Sequence, residues 1–172
     1  MKTLNALLIL LTISIPTFAQ LTPCDSAYVG KSVYGIKLVD TQGKVVTLEQ
    51  YRGKILFIDF WFSKCKPCIK EFPSSKKLRD MIKREDIVFL TINSDKEKSD
   101  WLKSLNRFEI EGEHYYDDIK LNDDILYKYF LVRSFPRYWI VDKTGKIVSP
   151  NADKPSAFLE NNTFLEVIDN VR

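Results

Sequence analysis

The fold is decided by residues 55–72, which read ILFIDFWFSKCKPCIKEF. The first part, Ile55–Trp61, is a nearly continuous apolar run, which is typical of a buried strand in a parallel or mixed sheet. From residue 67 to residue 84 apolar positions recur at mostly helical intervals, and Pro73 is expected to kink this helix. The segment therefore predicts a buried strand that leads straight into a helix, with Cys65 and Cys68 at the junction.

The chain on either side of this segment predicts the remaining elements of one layered domain. Residues 35–40 and 44–48 flank the turn Thr41-Gln42-Gly43 and predict a hairpin. The later patterns predict a strand, two helices, a second hairpin and a last helix, at residues 87–93, 96–108, 123–130, 138–141 with 146–148, and 163–171. This order predicts an α/β domain with a mixed central sheet flanked by helices.

Length and charge exclude several classes of protein. A chain of 172 residues with 45% apolar residues suits a single domain, so disorder is excluded as its main state. The net charge is only +3 and both signs are interspersed, whereas a nucleic-acid-binding protein is usually more basic. Three cysteines and one histidine are too few for a four-coordinate zinc site unless a carboxylate or a second chain joins in. We expect a monomer without a bound metal.

The N-terminus predicts export. Lys2 precedes an apolar stretch over residues 6–15, and small residues stand at the −3 and −1 positions for cleavage before Gln20. We interpret 1–19 as a signal peptide, 20–27 as a flexible lead and 28–172 as the domain. A retained membrane anchor and lipidation at Cys24 are the alternatives. Each of these routes delivers the domain to the periplasm or to another site outside the cytoplasmic membrane, where cysteine pairs become disulfides unless a reductant maintains them.

The spacing Cys65-Lys66-Pro67-Cys68 predicts redox chemistry. Residues three apart on a helical turn are neighbours, so the two sulfurs can bond or separate with little backbone movement. The helix N-terminus stabilises a thiolate on Cys65, and Pro67 suits a first turn because it lacks the N–H. We expect a nucleophilic Cys65 and a more buried Cys68. Haem attachment would need histidine at position 69, but a small structural disulfide remains an alternative.

Residues 58–68 resemble the active-site segment of thioredoxin, and Lys70-Glu71-Phe72-Pro73 is similar to exported thioredoxin-like proteins of the TlpA and ResA type. Ser134-Phe135-Pro136 resembles the cis-proline loop of that family, and residues 142–148 resemble its hairpin. The resemblance implies a thioredoxin-like fold with an N-terminal hairpin extension. It also implies thiol-disulfide exchange on proteins, with the Cys65–Cys68 pair in place of any other cofactor.

Two carboxylates are assigned supporting roles. Asp59 lies inside the apolar run, and burial should raise its pKa, so that it could exchange a proton with Cys68. Its position matches the buried aspartate of thioredoxin. Glu71 matches a family glutamate that is associated with tuning the cysteine pair. The alternatives are a partly exposed Asp59 at the strand end and a solvated Glu71 on the helix surface.

The resemblance also places several residues toward the substrate. A cis Pro136 would present the backbone of Phe135 to an incoming peptide as an added strand. Lys64, Lys66 and Pro67 complete this predicted contact surface, and the two lysines should favour the Cys65 thiolate. We expect His114 to have a surface or half-buried structural role. Trp61 and Phe62 are expected to form core and site wall.

The resulting interpretation is an exported thiol-disulfide oxidoreductase that reduces protein disulfides and receives electrons from a membrane partner. A copper chaperone is one alternative, because paired thiolates bind Cu(I) well. A redox-silent binding domain held by a Cys65–Cys68 bridge is another. Neither the substrate protein nor the electron donor follows from the sequence.

Overall fold

A mixed sheet of seven strands organises the part of the chain that the computed structural model describes, residues 27–122, 125–128, 130 and 132–171. The strands are β1 (Lys37–Val39), β2 (Val45–Thr47), β3 (Ile55–Trp61), β4 (Ile87–Asn93), β5 (Glu113–Tyr116), β6 (Arg137–Val141) and β7 (Ile147–Ser149). Their spatial order is β2-β1-β5-β4-β3-β6-β7. Strand β3 pairs parallel with β4 and antiparallel with β6, which confirms the predicted mixed sheet.

Six helices accompany the sheet within the described residues: α1 (Lys66–Met81), α2 (Lys98–Phe108), α3 (Ile119–Asn122), α4 (Ile125–Lys128), α5 (Pro155–Asn161) and α6 (Phe164–Asp169). A 3₁₀ turn covers Leu48–Tyr51. Helix α1 continues through Pro73 but ends before the predicted residue 84. Part of the helix predicted at 123–130 lies outside the described residues, as do the predicted signal peptide and Cys24.

Two predicted hairpins are confirmed, and both use the same turn chemistry. In the β1–β2 turn the Asp40 carboxylate accepts hydrogen bonds from the N–H groups of Gln42 and Lys44. Asp142 does the same in the β6–β7 turn, where Gly145 has a φ of 82°. A Cβ at Gly145 would also meet the Tyr34 ring at 2.3 Å, so this turn requires glycine.

The sequence patterns did not predict two of the elements, strand β5 and helix α5. Strand β5 has only four residues, and it exists because β4 and β1 pair with it on either side. Helix α5 is also short, with only Pro155 and Phe158 buried, so its pattern carries little periodic signal. Helix α5 packs on α1, which makes it a product of tertiary contact rather than of local propensity.

Strand β3 is buried along its whole length and separates two layers of core. Leu56, Ile58 and Phe60 pack in one cluster, whereas alternate side chains face the layer of α1. In that second layer Trp61 contacts Phe72 of α1 edge to face, with ring centroids 5.2 Å apart. Strand β3 and α1 are thereby held together at the point where the cysteines lie.

No helix among the described residues is long and apolar enough to cross a membrane.

Candidate active site

Cys65 and Cys68 form a disulfide at the junction between β3 and α1, with 5.3 Å between their Cα atoms. Cys65 is the residue that caps α1, and its Sγ accepts a hydrogen bond from the Cys68 N–H at 3.2 Å. That N–H donates to the sulfur atom that would carry the charge after reduction. Cys65 is 3% exposed and Cys68 0%, so exposure hardly separates the two cysteines in this oxidised state.

The turn before the disulfide is held by a residue that the sequence analysis did not single out. Asp95 accepts hydrogen bonds from the Ser63 N–H at 3.1 Å and from the Ser63 hydroxyl at 2.8 Å. Asp95 is itself oriented by its N–H, which donates to the Asn93 side chain. Asp95 follows β4 just as Ser63 follows β3, and neighbouring parallel strands end at the same edge of a sheet. That shared edge is the signal that could have predicted this contact.

The loop that contains Pro136 reaches the disulfide through aromatic contact. The Phe135–Pro136 peptide bond is cis. Phe135 packs on the cluster that contains both cysteines, and its ring meets Phe62 edge to face at 5.3 Å. The Arg137 guanidinium donates to the Ser134 hydroxyl at 2.9 Å, which ties the two ends of the loop together. Residues far apart in sequence are thus assembled beside Cys65.

The predicted substrate-facing residues of the CxxC segment lie at the surface. Lys64, Lys66 and Pro67 are all exposed, while the two cysteines of the same segment are buried. The two ammonium groups flank Cys65 and would favour its thiolate by Coulomb attraction. Their contact with a substrate stays a prediction.

Asp59 is buried, at 4% exposure, in the layer between the sheet and α1. Its cross-strand neighbours are Thr91 on β4 and Tyr138 on β6. Burial raises the pKa of Asp59 well above its usual value, and the nearby charge of Glu71 raises it further. Its Oδ1 has no hydrogen-bond partner among the described residues. The expectation of a buried Asp59 is confirmed; proton exchange with Cys68 stays a prediction.

Glu71 is also buried, at 8% exposure, so the alternative of a solvated helix position is wrong. Its Oε2 accepts from the Ser156 N–H at 3.0 Å, and its Oε1 accepts from the Ser156 hydroxyl at 2.9 Å. The Lys154 ammonium lies 3.8 Å from Oε1. Both hydrogen-bond donors are groups of Ser156 at the start of α5. They lie far from Glu71 along the chain, so the local sequence pattern could not identify them. Tuning of the cysteine pair by Glu71 stays a prediction.

Other predicted residues take structural positions. Trp61 lies in the core, as expected. His114 is half-buried on β5, and its Nδ1 lies 3.0 Å from the Thr91 hydroxyl. Burial lowers the pKa of His114. Within the described residues no three His, Cys, Asp or Glu side chains come together in a way that could hold a metal ion.

Comparisons with known proteins agree with this geometry. Residues 14–164 match the family model described as Redoxin. The chain is 30% identical over 148 residues to the thiol-disulfide oxidoreductase ResA of Geobacillus thermodenitrificans, covering 86% of this chain and 83% of that protein. A crystal structure of a candidate thiol-disulfide oxidoreductase from Bacteroides vulgatus has a TM-score of 0.72 and 30% identity, covering 84% of this chain and 96% of that one. The thioredoxin domain of a thiol-disulfide oxidoreductase from the same organism shares the fold, with a TM-score of 0.69, 24% identity and coverage of 84% and 98%.

Proposed function

This chain belongs to the redoxin family and is a thiol-disulfide oxidoreductase of thioredoxin-like fold, and from that premise we propose that it is exported and reduces disulfides in other proteins through Cys65 and Cys68. The observation that carries the proposal is the disulfide at the start of α1, where the Cys68 N–H donates to the Cys65 sulfur. In the reduced protein the same N–H would stabilise a thiolate on Cys65.

In the first step of the proposed reaction the Cys65 thiolate attacks one sulfur of a substrate disulfide. The substrate bond breaks, a Cys65–substrate disulfide forms, and the other substrate sulfur leaves as a thiolate. Cys68 then loses its proton and attacks the Cys65 sulfur. The Cys65–Cys68 bond re-forms, and the substrate leaves with two electrons gained.

Asp59 is the group we assign to the Cys68 proton. Burial raises the pKa of Asp59 well above its ordinary value, and a carboxyl with a raised pKa is a better proton acceptor than an ordinary surface aspartate. The support is its burial on β3, directly before the segment that carries the cysteines. Pro136 and Phe135 would align the substrate backbone, and Lys64, Lys66 and Pro67 would contact its surface.

Export and the reducing direction rest on further support. The pattern of residues 1–19 is that of a secretory signal, and the relatives of this chain include the thiol-disulfide oxidoreductase ResA. A reductase in an oxidising compartment needs a source of electrons, which we assign to a membrane protein that re-reduces the Cys65–Cys68 pair. Protein thiols and disulfides are then the partners on both sides of the reaction.

The reduction potential of the pair tests the direction. We expect a value near that of thioredoxin, about −270 mV, when the mature domain is equilibrated with dithiothreitol buffers. A value near about −120 mV would identify an oxidant instead. A pair that resists reduction well below about −300 mV would identify a structural bridge.

The variant Cys68→Ser tests the mechanism in a different way. Without the resolving thiol, Cys65 should remain bound to its substrate, so covalent adducts should accumulate and disappear on treatment with dithiothreitol. Cys65→Ser is the matched control and should trap nothing. If Cys68→Ser forms no adduct and the wild-type protein binds one equivalent of Cu(I) through both cysteines, the protein would be a copper chaperone.

A further inference from the structure

The turn that leads from β3 to Cys65 is fixed by a carboxylate from another strand end. The Cys65 N–H donates to the Phe62 carbonyl at 3.0 Å, which closes a turn of four residues. Its central residues are Ser63 and Lys64. Asp95 Oδ1 accepts from the Ser63 N–H at 3.1 Å and from the Ser63 hydroxyl at 2.8 Å, and Oδ2 accepts from the same N–H at 3.1 Å. The Asp95 carboxylate is thereby bonded to the residue two positions before Cys65.

The backbone of Asp95 is held from behind. Its N–H donates to the Asn93 side chain at 2.9 Å, and Asn93 is fully buried at the end of β4. Ser94, between the two residues, donates its N–H to the Trp61 carbonyl at 2.9 Å, which ties this segment to the end of β3. A carboxylate that is held at both its backbone and its oxygens keeps a constant distance from the turn.

The cationic neighbours of Cys65 are more strongly hydrated than Asp95. Lys64 and Lys66 are both exposed, so water screens their attraction for a thiolate. Asp95 is only partly exposed, and a partly buried charge is screened less than an exposed one. At comparable distances the carboxylate therefore has the larger effect on the charge of Cys65.

Negative charge from the ends of β4 and β5 reaches the layer that contains the cysteines. Tyr116 of β5 packs in the same cluster as Cys65 and Cys68. Burial raises the pKa of Tyr116, and the charges of four carboxylates raise it further, namely those of Asp118, Glu97, Asp95 and Asp117. Asp95 belongs to this group and is also bonded to the turn before Cys65.

Other charged or titratable groups lie on the remaining sides of the cysteines. Burial raises the pKa of Asp59 on β3. Glu71 of α1 accepts two hydrogen bonds from Ser156, and Arg137 of β6 donates to the Ser134 hydroxyl. Strand β1 and helix α2 face the cluster with uncharged side chains, those of Val39, Trp101 and Leu105. All these groups stay the same in the variants compared below, so a difference between variants is due to the carboxylate that was changed.

We propose that Asp95 is a positioning residue that makes the Cys65–Cys68 pair a stronger reductant, because its fixed negative charge opposes the thiolate that reduction leaves on Cys65. The proposal rests on the proposed function, since it concerns the direction of that reaction. It gives the edge of the sheet a part in a property that the sequence assigned to the CxxC segment alone.

Reduction of the pair changes the charge beside Asp95. A dithiol such as dithiothreitol breaks the Cys65–Cys68 bond, gives two electrons to the pair and becomes a disulfide itself. It releases two protons, of which Cys68 takes one and solvent the other, while Cys65 stays a thiolate. A neighbouring negative charge raises the free energy of this reduced form and leaves the disulfide form, in which Cys65 is neutral, almost unchanged. The reduced pair therefore gives its electrons to a substrate more readily.

Asp95→Asn removes the charge and keeps the geometry, because Oδ1 alone accepts from both the N–H and the hydroxyl of Ser63. At acidic pH, where only a fraction of the Cys65 thiol is ionised, we expect Cys65 of the reduced variant to react with iodoacetamide about 3-fold faster than in wild type, of the order expected for one unit charge a few ångströms away in water. At alkaline pH, where the thiol is ionised in both proteins, the two rates should nearly agree. Peptide mass spectrometry identifies the alkylated cysteine.

The equilibrium with dithiothreitol measures the same effect on the redox pair. In alkaline buffer the equilibrium constant for reduction of the Cys65–Cys68 bond should be about 3-fold larger in Asp95→Asn than in wild type, which corresponds to a rise of about 14 mV in the reduction potential. Asp118→Asn is the matched control, since Asp118 follows β5, one strand further from β3 than the strand that Asp95 follows. Its rates and its equilibrium constant should stay within about 1.5-fold of wild type.

Three results would overturn this inference: no effect of Asp95→Asn, equal effects of Asp95→Asn and Asp118→Asn, or a change in alkylation rate that is the same at acidic and alkaline pH. The last result would indicate altered access to Cys65 rather than altered charge. If Asp95→Asn does not fold, as judged by circular dichroism, Asp95→Ala and Asp118→Ala replace the two variants. The ratio of acidic to alkaline rates is then compared, because differences in access cancel in it.

Alkylation of Cys65 needs no protein substrate, so its outcome is independent of the proposed function. A wild-type protein that does not reduce a protein disulfide such as insulin would overturn the proposed function, while the effect of Asp95 on the Cys65 thiolate could still be measured.

Discussion

Two buried carboxyl groups lie near each other between the sheet and α1, yet their surroundings differ. Glu71 accepts hydrogen bonds on both oxygens from Ser156 and has Lys154 nearby. Asp59 has an oxygen without a partner, and its pKa is strongly raised by burial. Burial alone therefore does not define the role of a carboxylate. The partnered group is suited to hold two helices together, and the unpartnered one is suited to gain and lose a proton.

The largest effect should come from removing the partnered group. We expect Glu71→Ala to lower the free energy of unfolding by about 2–3 kcal/mol, because it leaves two part-buried donors of Ser156 without their acceptor. Chemical denaturation at neutral pH would measure this. The folded variant should still form the Cys65–substrate disulfide at close to the wild-type rate. A large change in the reduction potential with little loss of stability would instead support tuning of the cysteine pair by Glu71.

Asp59→Asn should instead raise the free energy of unfolding. The native pKa of Asp59 lies above the ordinary value of 3.8, so between the two values the unfolded chain is ionised while the native protein keeps the proton. Unfolding then releases a proton, and wild-type stability falls as pH rises through that window. The variant does not lose stability in this window. Its free energy of unfolding, relative to that of wild type, should therefore rise by about 1.4 kcal/mol per pH unit until the native pKa is reached.

Denaturation curves from pH 4 upward, compared between Asp59→Asn and wild type, would check this slope. The same variant should resolve mixed disulfides more slowly, since asparagine cannot take the Cys68 proton. A constant stability difference across the range would mean that Asp59 titrates normally in the native protein.

Ser156→Ala should have a smaller effect than Glu71→Ala, about 1 kcal/mol, because it removes one hydroxyl donor and keeps the backbone N–H. A double-mutant cycle with Glu71→Ala would measure the coupling directly. We expect the two changes to be less than additive because both remove the same contact. Full additivity would show that the hydrogen bond from the Ser156 hydroxyl to Glu71 contributes nothing to stability.

Lys154→Met should have the smallest effect. The Lys154 side chain is 58% exposed, and its nitrogen lies 3.8 Å from the Glu71 carboxylate, so water screens most of the attraction. We expect a loss of no more than about 0.5 kcal/mol, and less at high salt. A loss as large as that of Ser156→Ala would mean that the ion pair, not the hydrogen bonds, holds α5 on α1.

The local parts of the site could be predicted from the sequence. The cysteine spacing, the strand before it and the helix after it all depend on side-chain periods within a few residues, so residues 55–72 were sufficient. The burial of Asp59 followed for the same reason, since a strand enclosed by apolar neighbours on both sides carries its polar residue inside. The hairpins followed from turn residues that act within four positions.

The tertiary packing decided what those residues touch. Ser156 is 85 positions from Glu71 and Asp95 is 32 positions from Ser63, and periodicity contains no information about such pairs. The missing partner of Asp59 depends equally on how α1, α2 and the sheet fit together. A sequence pattern encodes which way a side chain points from its own element. The distance to another element is set only when both have packed, and for the two carboxylates that distance separates Glu71, which is hydrogen-bonded on both oxygens, from Asp59, whose Oδ1 has no partner among the described residues.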